Sequence, residues 1–337
     1  MQVYGYPVSE WRLDLDNLKP STKKDSTEVC GQIVQALAFL HNKGVCHGDF
    51  RPSNILMKLD QDALHELDLT QMAELLGEAE AYEVKTVSGK SPCPKGPEYC
   101  VLSVRQMWCE KLLIPEIVIV DFGESFFVND PRNGTGIPTP YAAPEVLFHQ
   151  TIGSSVDIWS LACTIYEVRT RDKLFGGSFY GSKVNRVVYE MEIILGPLAK
   201  PYREVWEHEG LEGPDDIIKV YEENDNCDSA ATCSLASLEC ERRDCITGTG
   251  YDDILEAMLG TEREQYHSLL SEDRWEPPIK YQYEKEEVLA LADFLRRLLK
   301  YHPDERLGAD DVLQHPWLQN TRASHKMQAR VSKEELL

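Results

Sequence analysis

The sequence predicts an α+β fold that is mainly α, a helical lobe carrying a small β element. Apolar residues recur at helical spacing in 25–41, 155–168 and 284–300. The β-branched runs are few and short, and they lie beside two polar motifs. This order is not that of a doubly wound sheet, in which strands and helices alternate.

The first of these helices is expected at 25–41, with one apolar face. Asn42-Lys43-Gly44 then places a cation and a C-cap glycine after the last turn. A polar loop follows, and 55–57 is expected to be a short apolar strand. The apolar face of the helix consists of Val29, Ile33, Val34, Leu37 and Leu40.

A second strand and a central helix follow a polar spacer. Residues 60–112 are expected to be polar and partly helical, and the β-branched run 117–120 predicts a buried strand. Residues 155–168 are apolar nearly all round, which is typical of a helix in the middle of a domain. Asp157 is the exception, and a carboxylate at that position needs hydrogen-bond donors if it is buried.

The C-terminal half begins with an acidic stretch. Residues 206–283 contain few periodic apolar residues, which predicts a peripheral insertion that is disordered in part. Regular structure is expected again at 284–300, and a last helix opens at Gly308 and stops at His315-Pro316. The insertion's cysteines are too widely and irregularly spaced to favour a zinc site over a plain loop. These cysteines are Cys227, Cys233, Cys240 and Cys245.

Composition narrows the function classes. The chain has 337 residues and a net charge of −22. Such a charge argues against nucleic acid or an anionic membrane as a direct partner; it favours a basic peptide, or it serves solubility alone. No apolar run is long enough to span a membrane, and no secretory signal is visible. The ten cysteines are therefore expected to be reduced thiols in an intracellular protein, cytoplasmic and/or nuclear.

Two polar motifs carry the chemistry. His47-x-Asp49-x-Arg51-x-x-Asn54 places a carboxylate, a cation and an amide in one loop. Phosphoryl transfer uses these groups to accept the nucleophile's proton, to neutralise the γ-phosphate and to ligate Mg²⁺. The second motif, Asp121-Phe122-Gly123, directly follows a predicted strand. Its carboxylate can hold a metal ion that bridges phosphates. Each motif alone is a weak signal.

Three further patterns follow in a fixed order along the chain. They are Ala143-Pro144-Glu145, Asp157-x-Trp159, and the stretch from His302-Pro303 through Arg306 to His315-Pro316-Trp317. Five weak patterns in one order make a strong signal, and together they resemble the protein kinase superfamily. The resemblance covers about 25–58, 113–205 and 284–318.

The resemblance implies a role for each matched residue. Asp49 would be the catalytic base, Arg51 would contact the γ-phosphate of ATP, and Leu56 would lie under the adenine ring. Asn54 and Asp121 would hold Mg²⁺ at one open edge of the lobe, with Asp49 nearby and facing solvent. The residues implied to support this site are His47, Phe122, Gly123, Asp157 bracing the catalytic loop, and Glu145 paired with Arg306.

Within the superfamily, the chain is most similar to SR-protein kinases, specifically the SR-kinase-like proteins of filamentous fungi. The catalytic-loop sequence and the long spacer before Asp121 carry this likeness, which implies a basic or Arg/Ser-rich protein substrate. Gly48 stands where an arginine usually receives an activation-loop phosphate, so control by that phosphate is not expected. Pro138 stands in place of the usual threonine, so serine/threonine selectivity rests mainly on Arg51.

The most conspicuous departure concerns the N-terminal lobe. No Gly-x-Gly-x-x-Gly and no Val-Ala-x-Lys precede the catalytic loop, and only 46 residues lie ahead of His47. The sequence is therefore expected to contain the C-terminal helical lobe only, without the N-lobe β-sheet, and to be inactive alone. A partner would cover the exposed surface that normally faces the N-lobe.

These expectations divide the chain into seven segments. They are 1–24 (end of the hinge and first C-lobe helix), 25–59 (helix and catalytic loop), 60–112 (spacer insertion), 113–205 (metal-binding motif, activation segment and central helices), 206–283 (acidic, Cys-containing insertion), 284–318 (C-terminal kinase helices) and 319–337 (polar tail).

Two other functions are open. A small-molecule phosphotransferase also uses His-Gly-Asp and a second metal aspartate, but it has no peptide-docking segment and does not need Ala143-Pro144-Glu145 or Arg306. A pseudokinase, a scaffold fragment or an incomplete gene model is the other reading. The intact catalytic motifs favour descent from an active enzyme, and a nucleotide-binding assay would separate these readings.

Overall fold

The computed structural model describes residues 4–10, 21–76, 81–101, 112–176, 184–208, 243–244, 246–265 and 279–319. The helices are α1 Ser21–Asn42, α2 Gln61–Glu66, α3 Leu69–Leu76, α4 Pro144–Leu147, α5 Ser155–Thr170, α6 Val184–Leu195, α7 Lys200–His208, α8 Ile254–Gly260, α9 Lys285–Leu298 and α10 Ala309–Val312. The strands are β1 Tyr4–Pro7, β2 Val45–Cys46, β3 Ile55–Leu59, β4 Ala81–Glu83, β5 Tyr99–Val101, β6 Leu113–Ile119, β7 Phe126–Phe127, β8 Arg263–Gln265 and β9 Ile279–Tyr281.

The core is built around α5, as its all-round apolar sequence predicts. Trp159, Leu161 and Ala162 are completely buried. Helices α1 and α9 both pack against α5, and α1 also contacts α10. Helix α1 begins at Ser21, four residues before the predicted start, and its predicted apolar face lies on this core except at Leu40, which is half-buried. The residues between Glu10 and Ser21, where part of a first helix was expected, lie outside the described residues.

A three-stranded antiparallel sheet, in the order β1-β3-β6, carries the candidate site. Ile55 pairs with Ile119 and Leu56 with Val118. The strand predicted at 117–120 is confirmed for 117–119, which lie in β6, but the prediction that it is buried is wrong, because these residues are only half-buried. Helix α1 covers β6, and the Gln32 side chain bonds the backbone at Ile117. The partial exposure that remains shows that the described residues do not enclose this strand fully.

The spacer lies outside the core. Asp60 caps α2 by accepting hydrogen bonds from the backbone of Asp62 and Ala63. Strands β4 and β5 pair antiparallel, and all six of their residues are exposed. The described part of 60–112 is therefore helical and hairpin structure appended to the lobe.

The prediction that 206–283 is entirely peripheral is wrong for α8. Asp253 caps this helix, and Ile254, Leu255 and Leu259 are buried in the main core. The helix packs against α6 and α9. Its seven residues are too few for a periodic pattern to show in an acidic context, which is why the sequence missed it. The four cysteines and the predicted disorder within 209–242 and at 245 lie outside the described residues.

The described helices were compared in length and apolar character with the thickness of a bilayer. None of them is both long and apolar enough to cross a bilayer. Five cysteines of the described part, Cys30, Cys46, Cys93, Cys100 and Cys163, are free thiols.

Candidate active site

His47 joins the two polar motifs. Its side chain is completely buried, and Nε2 lies 3.1 Å from the backbone oxygen of Val120, the residue before Asp121. Its ring centroid is 5.0 Å from that of Phe122. The His47 side chain therefore fixes the spacing between the catalytic loop and the Asp121-Phe122-Gly123 turn.

Asp157 holds the catalytic loop from the core side. The carboxylate is 1% exposed. Oδ2 accepts a hydrogen bond from the backbone N–H of His47 at 2.7 Å, and Oδ1 accepts one from Gly48 at 2.9 Å. The Nε2 atom of His41 lies 3.0 Å from Oδ2. A buried carboxylate is stable only when it has such partners. The partners that the sequence predicted for Asp157 are therefore supplied by His41 and by the loop at His47 and Gly48, more than 100 positions earlier in the chain.

Asp49 lies at the centre of the site. Its Oδ2 accepts a hydrogen bond from Asn54 Nδ2 at 2.7 Å, and the Arg51 Nε lies 3.0 and 3.1 Å from its two oxygens. Asn54 Nδ2 also donates to the Asp49 backbone oxygen at 2.9 Å. The prediction that Asp49 faces solvent is wrong, because these neighbours leave it only 7% exposed.

Asp121 follows β6 at the edge of the site and is exposed. Its backbone has φ of 63°, in the left-handed region that non-glycine residues seldom adopt. The Val120 N–H donates to the Asn54 backbone oxygen at 2.9 Å, so the two motifs run side by side. Phe122 is 44% exposed and Gly123 follows in the same short 3₁₀ turn.

The donors present fit a magnesium ion shared with a phosphate group. Within the described residues, both hydrogen bonds of the Asn54 side chain use Nδ2, which leaves Oδ1 available as an oxygen ligand. The backbone bond from Val120 to Asn54 brings the chain at Asn54 close to the residue before Asp121. Mg²⁺ prefers such oxygen ligands, and in nucleotide sites it takes one or two of them from protein and the rest from phosphates and water. The described residues contain no group of three His, Cys, Asp or Glu side chains placed to hold a metal ion.

Leu56, the residue expected under adenine, lies in β3 between β1 and β6. It pairs with Pro7 on one side and Val118 on the other, and its side chain is half-buried. An apolar surface of this kind suits the flat face of a purine ring.

Glu145 and Arg306 form the predicted interior ion pair, which is confirmed. Arg306 Nη1 and Nη2 lie 2.6 and 2.7 Å from the two carboxylate oxygens. The side chains are 0% and 1% exposed, for the arginine and the glutamate respectively. Arg306 also donates to the Ser155 backbone oxygen and lies over the Trp159 ring. The pair thus ties α4 to the loop before α10 and, through Ser155, to the start of α5.

Sequence reasoning missed a second polar contact at the peptide-docking segment. Tyr141 Oη donates to Glu167 Oε2 at 2.6 Å. Burial raises the pKa of the Glu167 carboxyl, although the Tyr141 hydrogen bond and the nearby Lys173, Arg171 and Arg51 charges oppose that shift. Nothing in the sequence links positions 141 and 167, so no local signal could have found this pair.

Comparison with known proteins agrees with this geometry. The protein kinase domain family matches residues 109–318. This chain belongs to the protein kinase domain family. The matched range includes Asp121, Glu145, Asp157 and Arg306, and it begins after Asp49, so it does not test the role expected for Asp49.

The similar proteins are protein kinases of low identity. The serine/threonine-protein kinase SRPK of Physarum polycephalum is 24% identical over 85% of this chain and 59% of its own length. The dual specificity protein kinase KNS1 of Saccharomyces cerevisiae is 24% identical over 86% of this chain and 41% of its own. The chain therefore spans about half the length of these relatives. A solved kinase-domain crystal structure is 20% identical, with a TM-score of 0.49, over 94% of this chain and 71% of that one.

Proposed function

We propose that this chain carries the catalytic loop of a protein kinase that transfers the γ-phosphate of ATP to serine or threonine in a protein, with Mg²⁺. The observation that supports it is the Asp49 carboxylate held between Arg51 Nε and Asn54 Nδ2, in a loop suspended from Asp157. Phosphoryl transfer depends on positioning and charge neutralisation, and these contacts supply both.

Asp49 and Arg51 divide the chemistry. Asp49 accepts the proton of the attacking hydroxyl, and the Asn54 amide fixes which carboxylate oxygen faces it. The hydrogen bonds of Arg51 in the described part of the chain use Nε, so Nη1 and Nη2 are available for the γ-phosphate. Asp121 and Asn54 Oδ1 would hold Mg²⁺, which would supply positive charge to neutralise the phosphates.

Two parts of the usual kinase ATP site are not recognisable in the sequence before His47. The sequence before His47 contains no glycine-rich loop and no strand lysine, so the phosphates lack two groups that kinases use. Adenine would lie on Leu56 with its other face uncovered by the described residues. We infer that residues 1–337 alone turn over slowly or not at all, and that a second lobe or a partner covers Leu56 and the exposed Phe122.

A basic, Arg/Ser-rich protein segment is the substrate class that the charge favours. The chain carries a net charge of −22, which attracts cationic peptides. The proposed enzyme is SR-kinase-like. One similar protein is named SRPK, which supports this, and another is named a dual specificity protein kinase. The buried Glu145–Arg306 pair favours a protein substrate over a small molecule, since it braces a peptide-docking segment.

Radiolabelled phosphate transfer to a basic serine-rich peptide tests this function. Residues 1–337 are compared with a version extended upstream, each with and without Asp49→Asn. Turnover by the extended version only, lost with Asp49→Asn, supports the proposal. Robust turnover by residues 1–337, also lost with Asp49→Asn, would show a self-sufficient lobe. Nucleotide binding is measured on the same two versions, and its absence in both would favour a pseudokinase or scaffold.

A further inference from the structure

Gly48, the residue before the candidate base, is enclosed on three sides. Its N–H donates to Asp157 Oδ1 at 2.9 Å, and its carbonyl oxygen accepts from Thr135 Oγ1 at 2.6 Å. A Cβ atom added at Gly48 would lie 2.3 Å from the backbone oxygen of Glu124. Its φ of +78° is also one that L-residues rarely adopt. The chain after Asp121-Phe122-Gly123 thus approaches the catalytic loop more closely than any side chain at position 48 would allow.

Glu124 and Thr135 organise the segment that lies against Gly48. The Glu124 backbone oxygen accepts from Arg132 Nη1 at 3.0 Å, and its Oε2 accepts from the Gly136 N–H at 2.9 Å. The hydroxyl of Thr135, besides donating to Gly48, accepts from the Ile137 N–H at 2.9 Å. The two ends of segment 124–137 are therefore bonded to each other and to the catalytic loop.

We propose that Gly48, Glu124, Arg132 and Thr135 are positioning residues that hold segment 124–137 on the catalytic loop with no phosphate. We call this arrangement the Gly48 clamp. The anion in it is the Glu124 carboxylate, which is part of the chain, and the cation is Arg132, which lies in the segment itself. The clamp rests on the proposed function, because it places Ile137 and the following docking residues relative to Asp49.

This arrangement reverses the expected effect of an arginine at position 48. If Gly48 were only a lost phosphate receptor, Gly48→Arg would be tolerated and would restore a cation. In the clamp it collides with the Glu124 carbonyl and must displace segment 124–137. A smaller change, Gly48→Ala, is expected to have the same direction of effect.

Amide hydrogen exchange at Gly136 tests the clamp without requiring catalysis. The Gly136 N–H donates to Glu124 Oε2 and not to Thr135. Slow exchange of this N–H therefore shows that the two ends of segment 124–137 are bonded, and any effect of a Thr135 variant on it is indirect. Thr135→Val should speed exchange at Gly136 roughly fivefold, the effect of losing one net hydrogen bond, and Thr135→Ser should restore the original rate. Equal rates in the original chain and Thr135→Val would overturn the proposal.

Gly89, in the exposed stretch between β4 and β5, offers a matched control for the glycine variants. It has the same φ as Gly48, +78°, but nothing lies within 4 Å of an added Cβ. Gly89→Ala therefore tests backbone strain alone, and it should leave Gly136 exchange unchanged while Gly48→Ala accelerates it. If the two variants behave alike, the close approach to Glu124 has no role. If Gly48→Ala does not fold, Glu124→Gln and the Thr135 pair decide the question.

In the upstream-extended version, Thr135→Val should lower kcat severalfold and Thr135→Ser should recover it. Exchange effects with no turnover in any version would count against the kinase function and leave the clamp standing.

Discussion

The Arg306 guanidinium and the Glu145 carboxylate meet through two hydrogen bonds, of 2.6 and 2.7 Å, although 161 residues separate them. Because both side chains are buried, removal of either leaves an unpaired charge inside the core. The pair therefore couples the C-terminal helices to the segment that would dock a peptide.

Glu145→Ala is expected to lower the free energy of unfolding by about 3–5 kcal/mol, the usual cost of breaking a buried ion pair. Urea unfolding followed by circular dichroism measures this. Lys58 and Glu116 form a matched surface pair at 3.0 Å, 39% and 57% exposed. Glu116→Ala should cost about 0–1 kcal/mol, because solvent screens that pair. Similar losses for both variants would contradict the burial argument.

Asp157→Asn should loosen the catalytic loop. The carboxylate receives N–H donors on both oxygens, whereas an amide would turn an NH₂ group towards one of those donors. A loss of about 1–3 kcal/mol in the free energy of unfolding is expected, together with faster amide exchange at His47 and Gly48.

The control for Asp157→Asn is Asp310→Asn. The Asp310 carboxylate accepts a hydrogen bond from Asn42 at 2.8 Å on the surface, where water replaces lost contacts. It should change neither measurement appreciably. Unchanged exchange at His47 and Gly48 in Asp157→Asn would show that the loop is held by other contacts.

The sequence predicted the elements that follow from an apolar pattern, and the family resemblance implied the distant Glu145–Arg306 pair. Side-chain contacts that depend on how the folded chain brings groups together were missed. Helix α5 and the need of Asp157 for partners followed from an apolar stretch with an acid near its start. The burial of Asp49 could not be foreseen, because it depends on how Arg51 and Asn54 turn back over it. The Tyr141–Glu167 bond is of the same kind, because only the packing of α5 brings these residues together.

Glu167 predicts a pH dependence of stability. Burial raises its pKa above the ordinary 4.5, so near that pH the folded state binds more protons than the unfolded state. The contribution of Glu167 to stability is then most favourable below pH 4.5 and falls as the pH rises through the folded-state pKa. Glu167→Gln removes this term. Its free energy of unfolding relative to the original chain should therefore rise as the pH increases above 4.5. If the free energy of unfolding of Glu167→Gln relative to the original chain falls or stays constant above pH 4.5, burial does not disfavour the charged form of Glu167.

Two changes within the acidic segment 206–283 should behave differently. Deletion of about 225–250 is expected to leave the melting temperature nearly unchanged, because its composition is acidic and low in periodic apolar residues. Leu255→Ala, only five residues further along, should lower the free energy of unfolding by about 2–5 kcal/mol, because Leu255 is 1% exposed in the main core. Differential scanning calorimetry of both variants makes the comparison. A large drop on deletion would show that the segment before α8 is part of the core, and an unaffected Leu255→Ala would show that α8 does not pack as described. The expected contrast would divide 206–283 into an appended acidic stretch and a structural helix, a boundary that composition alone did not reveal.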